Sequence, residues 1–334
     1  MREDGQPSAG PPLVVGFGEA MVRLTAERKL PLEYATGLQL DVGGAELNVL
    51  IALAQLGCRS RWVSRLPENQ LGRLIAGHAS RHRVQTDIDW LAGGRAGLYF
   101  VEEGSYPRST QVLYDRAGSA ASQLRPGLFD WPAILSSATA LHCTGITCAL
   151  GPDAEQAVLE AVQCAAELGV LTSFDVNYRG QLWSPQAAAA ALARVLPWVD
   201  LLFASPFDFQ LLTGSEVSAD SAAELRQSFG LSQVIVRTQQ EVSSGVLEIT
   251  VQAFGDEPGL ASGTAEATVL DAFGAGDAAV AAFLARYLTL APLAAAVSAA
   301  AEASAYMYTI PGDTWLHPPA GFAPEHGRLG RVRR

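Results

Sequence analysis

The chain has 334 residues, of which 49% are hydrophobic and only 17% charged, and its formal net charge is −11. That length can bury a sizeable core in one large α/β domain or two smaller ones, and the apolar content excludes a chain disordered overall. The acidic balance argues against a nucleic-acid binder, which needs a basic stripe, but a few arginines and backbone amides could still hold a small anion.

Met1 to Pro12 is polar and rich in Pro and Gly, with no export signal, and reads as a flexible tail. Leu13 to Gly18 opens with a short buried strand. Gly16-x-Gly18 lacks the third glycine of a dinucleotide fingerprint, because position 21 is Met and no helix-opening pattern follows at once. Residues 21–42 alternate and turn without helical period, which suggests hairpin strands. Gly43-Gly44-Ala45 then opens a helix from Glu46 to Leu56 that ends at Gly57. A strand is expected at 61–66, a helix at 71–83, and paired strands at 96–102 and 110–116.

Beyond residue 116 the pattern becomes regular. Strands expected at 140–144, 171–175, 201–204 and 234–237 alternate with helical segments, which indicates βαβ units and a parallel sheet covered on both faces. Ala278 to Tyr308 is strongly apolar but is interrupted by Arg286, Pro292 and Glu302, so it reads as a pair of buried helices rather than a membrane span. Glu325 to Arg334 is a basic tail. Cys58, Cys143, Cys148 and Cys164 show neither a Cys-x-x-Cys pair nor zinc spacing, which suits a reducing cytoplasm. His78 and His82 stand four apart on a predicted helix, but Arg81 and Arg83 beside them and the lack of a third ligand favour a solvated face. A cytoplasmic protein with neither nucleic-acid nor membrane partners is expected.

Ligands of such sheets bind beyond the carboxyl ends of the strands. The polar clusters there are Gly145, Asp175 to Arg179, Ser205 to Asp208, and Asp271-Ala272-Phe273-Gly274-Ala275-Gly276-Asp277. The last is the most telling. Gly274, Ala275 and Gly276 stand at a helix start, where backbone N–H groups have no intrahelical acceptor and can hold an anion. Asp277 would sit beside that anion, and it makes chemical sense as a base taking the proton of a hydroxyl that attacks phosphorus. No Gly-Lys-Ser or Gly-Lys-Thr follows, so this is not a Walker loop.

The early Gly43-Gly44-Ala45-x-x-Asn48 turn together with the late Asp-x-x-Gly-Ala-Gly-Asp turn resembles the ribokinase-like, or PfkB, carbohydrate kinases, over about Val14 to Pro318. Within that family the sequence is most similar to the kinases of 2-keto-3-deoxygluconate, through Gly97-Leu98-Tyr99, Tyr114 to Ala120, Gly145-Ile146-Thr147, Asp175 to Arg179, Leu182-Trp183-Ser184 and Gly312-Asp313. The resemblance implies a three-layer α/β/α core over residues 13–320, with a small β-sheet lid from roughly 21–42 and 97–116 and a tail at 321–334. It implies ATP and Mg²⁺ as cofactors, a monovalent cation left open, and phosphorylation of the sugar acid at its C6 hydroxyl. By the family pattern Gly43, Gly44 and Asn48 hold sugar hydroxyls, Tyr99, Tyr114 and Arg116 reach down from the lid, and Ile146, Arg179 and Asp313 complete the substrate shell. Gly274 to Gly276 form the anion hole and Asp277 is the base. Arg116 and Arg179 offer guanidinium forks for the substrate carboxylate.

On the nucleotide side, Ser205, Asp208 and Thr238 are the expected contacts, and the chain departs from the pattern there. Ser205-Pro206-Phe207-Asp208 replaces Asn-x-x-Glu, Thr238 to Gly245 replaces a short glycine-rich loop, and Asp271-Ala272 replaces Asp-Thr. Ala279 and Ala282 stand where an aromatic and a glycine are common. The alternatives are a kinase for a neutral sugar such as fructose or ribose, or a non-catalytic sugar-acid binder. Pairing of two copies through the lid edge is expected.

Overall fold

The computed structural model describes residues 10–105, 107–255 and 261–315, so the basic C-terminal tail and most of the N-terminal one lie outside the described residues. In chain order the strands are β1 (Leu13–Phe17), β2 (Met21–Ala26), β3 (Leu38–Gly43), β4 (Arg59–Pro67), β5 (Val84–Leu91), β6 (Leu98–Glu102), β7 (Gln111–Asp115), β8 (Ala140–Thr144), β9 (Leu171–Asp175), β10 (Leu201–Ala204), β11 (Gln233–Ser243), β12 (Val246–Phe254) and β13 (Ala261–Thr268). They form a nine-stranded sheet in the order β13-β12-β11-β10-β9-β8-β1-β4-β5 and a four-stranded sheet in the order β3-β2-β6-β7.

The large sheet is parallel from β5 through β11. β1, β8 and β10 are buried at every position, as continuous apolar strands between two helical layers should be. Successive residues serve opposite cores. Val14 packs with Leu50, Trp62 and Phe283 under the helices Ala45–Gln55, Ala275–Tyr287 and Leu293–Met307. Val15 and Phe17 pack with Leu141, Phe174 and Val158 under the helices Trp131–Leu135, Pro152–Glu167 and Pro185–Val195. Phe283 is fully buried, and truncating such a side chain to Ala costs about 3–5 kcal/mol.

Two parts of the sheet go beyond the strand–helix alternation read from the sequence. β5 pairs in parallel with β4 as an edge strand, although its half-exposed residues carry no apolar run. The strand expected to end at Arg237 continues to Ser243, turns at Gly245 (φ 74°), and is extended antiparallel by β12 and β13. Thr238 to Ser243 is therefore ladder, not loop: its mostly polar, exposed side chains suit a hairpin standing in solvent, and its backbone pairs with Val246 to Thr250.

The four-stranded sheet is the lid. β2 pairs antiparallel with β3 and parallel with β6, which pairs antiparallel with β7. Register places Arg23, Tyr99 and Tyr114 side by side on one face, and Leu24, Leu40, Phe100 and Leu113 on the other. The first face looks onto the carboxyl ends of the central strands. The second is outermost, with Leu40 and Leu113 47% and 61% exposed.

Candidate active site

The lid and the strand ends enclose a cavity of about 610 Å³, within the range of small-molecule sites. Its floor is the start of the helix Ala275–Tyr287. Gly274 caps that helix in the left-handed region (φ 71°), and a Cβ there would collide with the carbonyl of Asp313, so only glycine makes this turn. The first-turn N–H groups that follow have no intrahelical acceptor, while the Ala278 N–H already bonds the Gly274 carbonyl. Gly274 and Gly276 line the cavity. The Ala275 side chain is buried in the core, so only its N–H belongs to the cradle.

Asp277 lines the cavity from the same turn, and Asn48 Nδ2 donates to its Oδ2 at 2.7 Å. Loss of water raises its carboxyl to about 6; the Asn48 bond and the fields of Arg179 and Arg237 hold it down from going higher. Other acids crowd the same end. Asp175, at the tip of β9, is raised to about 8 by burial and by Asp208 and Asp277. Glu46, under the helix start at Gly44, is raised to about 7 by burial, although Thr144 N, Thr144 Oγ1 and Thr147 Oγ1 all donate to its Oε1.

The lid is tied to this floor by buried ion pairs. Arg23 on β2 is 1% exposed and satisfied on all sides: Nε donates to Thr25 Oγ1 at 2.9 Å, Nη1 to Asp313, and Nη2 to Asp271 at 3.2 Å. Its guanidinium also lies 4.4 Å from the centre of the Phe273 ring. Asp271 in turn accepts from Phe273 N at 3.2 Å and Gly312 N at 2.8 Å, which fixes the turn leading into the cradle. Tyr99 OH donates to Asp313 Oδ2 at 2.8 Å, and both groups lie so close to Gly43 that a Cβ there would overlap them. Tyr114 stacks on Tyr99 with ring centres 5.9 Å apart.

Of the residues singled out from the sequence, Gly43, Gly44, Asn48, Tyr99, Tyr114, Arg116, Ile146, Arg179 and Asp313 line the cavity, as do Ser205 and Asp208. Several are already engaged. Arg116 Nη2 pairs with Glu19, a buried acid that also accepts from Ser119, while its Nε is buried without a partner. Asn48 Oδ1 is likewise buried and unpartnered. Among the described residues Arg179 makes no ion pair, and its Nη1 donates to the Tyr178 carbonyl at 3.2 Å. Asp208 closes a capping box with Ser205 and accepts from Tyr178 N at 3.3 Å, so its carboxylate braces the loop after β9. Thr238 does not line the cavity. Strand alternation puts Ile235 and Arg237 on the cavity face and Thr238 on the opposite one, where its hydroxyl bonds the Thr250 carbonyl.

Sequence reasoning passed over Arg237, Glu19 and Arg23. Arg237 had the signal of a basic residue at the end of a parallel strand; the pairings of Glu19 and Arg23 had no sequence signal. His78 bonds Thr314 Oγ1 at 3.2 Å, and among the described residues no group of three His, Cys, Asp or Glu could hold a metal ion. No helix among them is long and apolar enough to cross a membrane.

A three-layer α/β core, a small sheet closing over the strand ends, and an acid beside a helix-terminal cradle define a ribokinase-like fold with a covered site. Residues 12–315 match the pfkB family carbohydrate kinase pattern. The chain is 35% identical to the 2-dehydro-3-deoxygalactonokinase of Haloferax volcanii over 90% of this chain and 92% of that protein. It is 31% identical to the 2-dehydro-3-deoxygluconokinase of Thermoproteus tenax over 90% and 89%, respectively. It superposes on the crystal structure of the 2-dehydro-3-deoxygluconokinase of Thermotoga maritima with a TM-score of 0.86 at 33% identity, over 91% of this chain and 95% of that one. The chain belongs to the pfkB family of carbohydrate kinases. It is a sugar kinase.

Proposed function

We propose that the chain transfers the γ-phosphoryl group of ATP to the C6 hydroxyl of 2-keto-3-deoxygluconate or its C4 epimer. The observation that carries this reading is the meeting, in one covered cavity, of Asp277 with Arg179, a guanidinium with no ion pair among the described residues. An open-chain keto acid supplies the carboxylate that Arg179 lacks and the hydroxyl that Asp277 can deprotonate. The unpartnered Asn48 Oδ1 and Arg116 Nε would bond the substrate's hydroxyl and oxo groups, removing the cost of two buried orphans. Arg116 is committed to Glu19, so Arg179 rather than Arg116 discriminates between a sugar acid and a neutral sugar.

Asp277 accepts the hydroxyl proton as the oxygen attacks phosphorus, Asn48 holds its carboxylate in place, and the cradle amides face the transferred phosphoryl. The lid excludes water that would otherwise accept the phosphoryl group. Magnesium keeps most of its waters, and the adjacent acids Asp175 and Asp208 fit it, because a cation beside them would relieve the repulsion that raises Asp175. When bound it would neutralise part of the negative charge of the donor's phosphates.

The test is ADP release by the purified protein with ATP, magnesium and each keto acid, with fructose and ribose in parallel. Turnover on a keto acid that falls at least ~100-fold in Arg179→Gln is expected. Turnover on fructose or ribose alone would refute the sugar-acid reading, and binding without turnover on any of them would leave a sugar-acid binder. Exchanging potassium for a quaternary ammonium in the same assay reads out a monovalent-cation requirement. A second copy of the chain fits the apolar outer face of the lid, where Leu40 and Leu113 stand exposed on its two edge strands, β3 and β7. Light scattering should show a dimer or larger that Leu40→Glu/Leu113→Glu disperses, and a monomeric wild type would refute this pairing.

A further inference from the structure

A triphosphate donor needs positive charge, and this chain has little to offer. Lys29 is its only lysine and stands outside the cavity. The arginines lining the cavity are Arg116, Arg179 and Arg237. Arg116 is neutralised by Glu19, and Arg179 is taken by the substrate carboxylate in the reading above. Arg237 remains.

Its surroundings are those of a charge held ready. The guanidinium is half-buried on the cavity face of β11 and touches only neutral partners: Nη1 lies 3.2 Å from Gln239 Oε1, 3.4 Å from Ser304 Oγ and 3.3 Å from Tyr308 OH. Tyr308 donates to the same Gln239 oxygen, so that acceptor is itself fixed. The other terminal nitrogen, Nη2, lies beside the cradle: a Cβ built on Gly276 would come within 4.0 Å of it. The field of Arg237 reaches both Asp277 and Asp175. The strand that carries it runs on past the cavity as a hydrogen-bonded hairpin.

We propose that Arg237 is a catalytic residue, its Nη2, beside Gly276 on the wall of the same cavity, reaching the γ-phosphoryl oxygens and the departing β-phosphate during transfer. This rests on the kinase reading above. In the step, the bond between the acceptor oxygen and γ-phosphorus forms while that between γ-phosphorus and the β,γ-bridging oxygen breaks. The bond's electron pair leaves with ADP, and the hydroxyl proton goes to Asp277. Arg237 meets the charge gathering on the leaving oxygens, opposite the cradle amides, so the transferred group is held from two sides.

The experiment compares wild type, Arg237→Gln and Arg237→Lys in steady-state kinetics, in calorimetric titration with ADP–magnesium alone and with fluoroaluminate, and in thermal melts. Losing one preorganised donor to a transition state lowers kcat by about 10²–10³-fold, and that fall is expected for Arg237→Gln with the KM for the sugar acid within about twofold. Arg237→Lys keeps the charge without the fork and should recover about tenfold of the loss. The fluoroaluminate complex, which mimics the transferring group, should weaken at least about tenfold more than ADP alone, with an unchanged melting midpoint. Turnover of Arg237→Gln within about threefold of wild type, or equal weakening of both complexes, would overturn the assignment. So would a melting midpoint lowered in step with kcat, which would make Arg237 a strut between β11 and the helix Leu293–Met307. If wild type turns over none of the sugars, the kinase reading fails while the titrations still judge Arg237. Failure of wild type to bind ADP at all would end both.

Discussion

Replacing Asp277 by asparagine separates two consequences of one buried carboxylate. The side chain keeps its shape, and its amide oxygen still accepts from Asn48 Nδ2, but it can no longer take a proton or carry charge. Activity should fall by about 10²–10⁴-fold, the usual worth of a positioned base. Stability should move the other way. Burial lifts the Asp277 carboxyl from 3.8 to about 6, so the folded state binds its proton more tightly than the unfolded chain does. That contribution favours folding fully below about pH 4 and is lost as pH rises through 6. A shift of roughly two pH units corresponds to about 3 kcal/mol, an upper bound because the carboxylate faces the cavity and solvent screens it. Asp175 and Glu46 titrate in both proteins and cancel to first order.

Urea unfolding of both proteins at pH 4.0, 5.5 and 8.0 reads the difference directly. The variant should be more stable at pH 8 by about 1–3 kcal/mol and indistinguishable at pH 4. In parallel, wild-type kcat/KM should fall tenfold per pH unit below about 6, as the base of the free enzyme becomes protonated. A stability gain of equal size at all three pH values, or no gain at pH 8, would refute the account of Asp277 as a charge held against its desolvation.

Gly274→Ala forces a side chain into the left-handed region and against the Asp313 carbonyl; we expect a loss of at least about 1 kcal/mol in urea unfolding and of most activity, since the cradle turn must shift. Tyr99→Phe removes one hydrogen bond to the buried Asp313 and should cost about 1–3 kcal/mol, with a several-fold rise in the KM for the sugar acid measured by ADP release. Arg116→Met strands Glu19 without its counter-charge, and thermal or urea unfolding should report a loss of about 3–5 kcal/mol at neutral pH. Because burial raises the Glu19 carboxyl, acid should diminish that last deficit as Glu19 takes up a proton.

What the sequence by itself determined is the part written in local pattern. Strands such as Leu201–Ala204, apolar at every residue, can only be central in a covered sheet, and a glycine-rich turn before an Ala-rich helix can only be an open helix terminus. The Gly43–Gly44 turn, the cradle and Asp277 were legible for that reason, and so were the lid strands, whose alternation marks a sheet with one face on the site. The tertiary structure alone decided which charges are free. Arg23 meets Asp271 and Asp313 across 248 and 290 residues, and Arg116 meets Glu19 across 97, so nothing near any of them in the chain announces the pairing. Those pairings remove Arg23 and Arg116 from the pool of available cations and leave Arg179 and Arg237 facing the cavity. The extension of β11 past Arg237 was decided the same way. Polar residues such as Gln239 and Gln240 carry no strand signal of their own, and they become strand because β12 folds back and pairs with them.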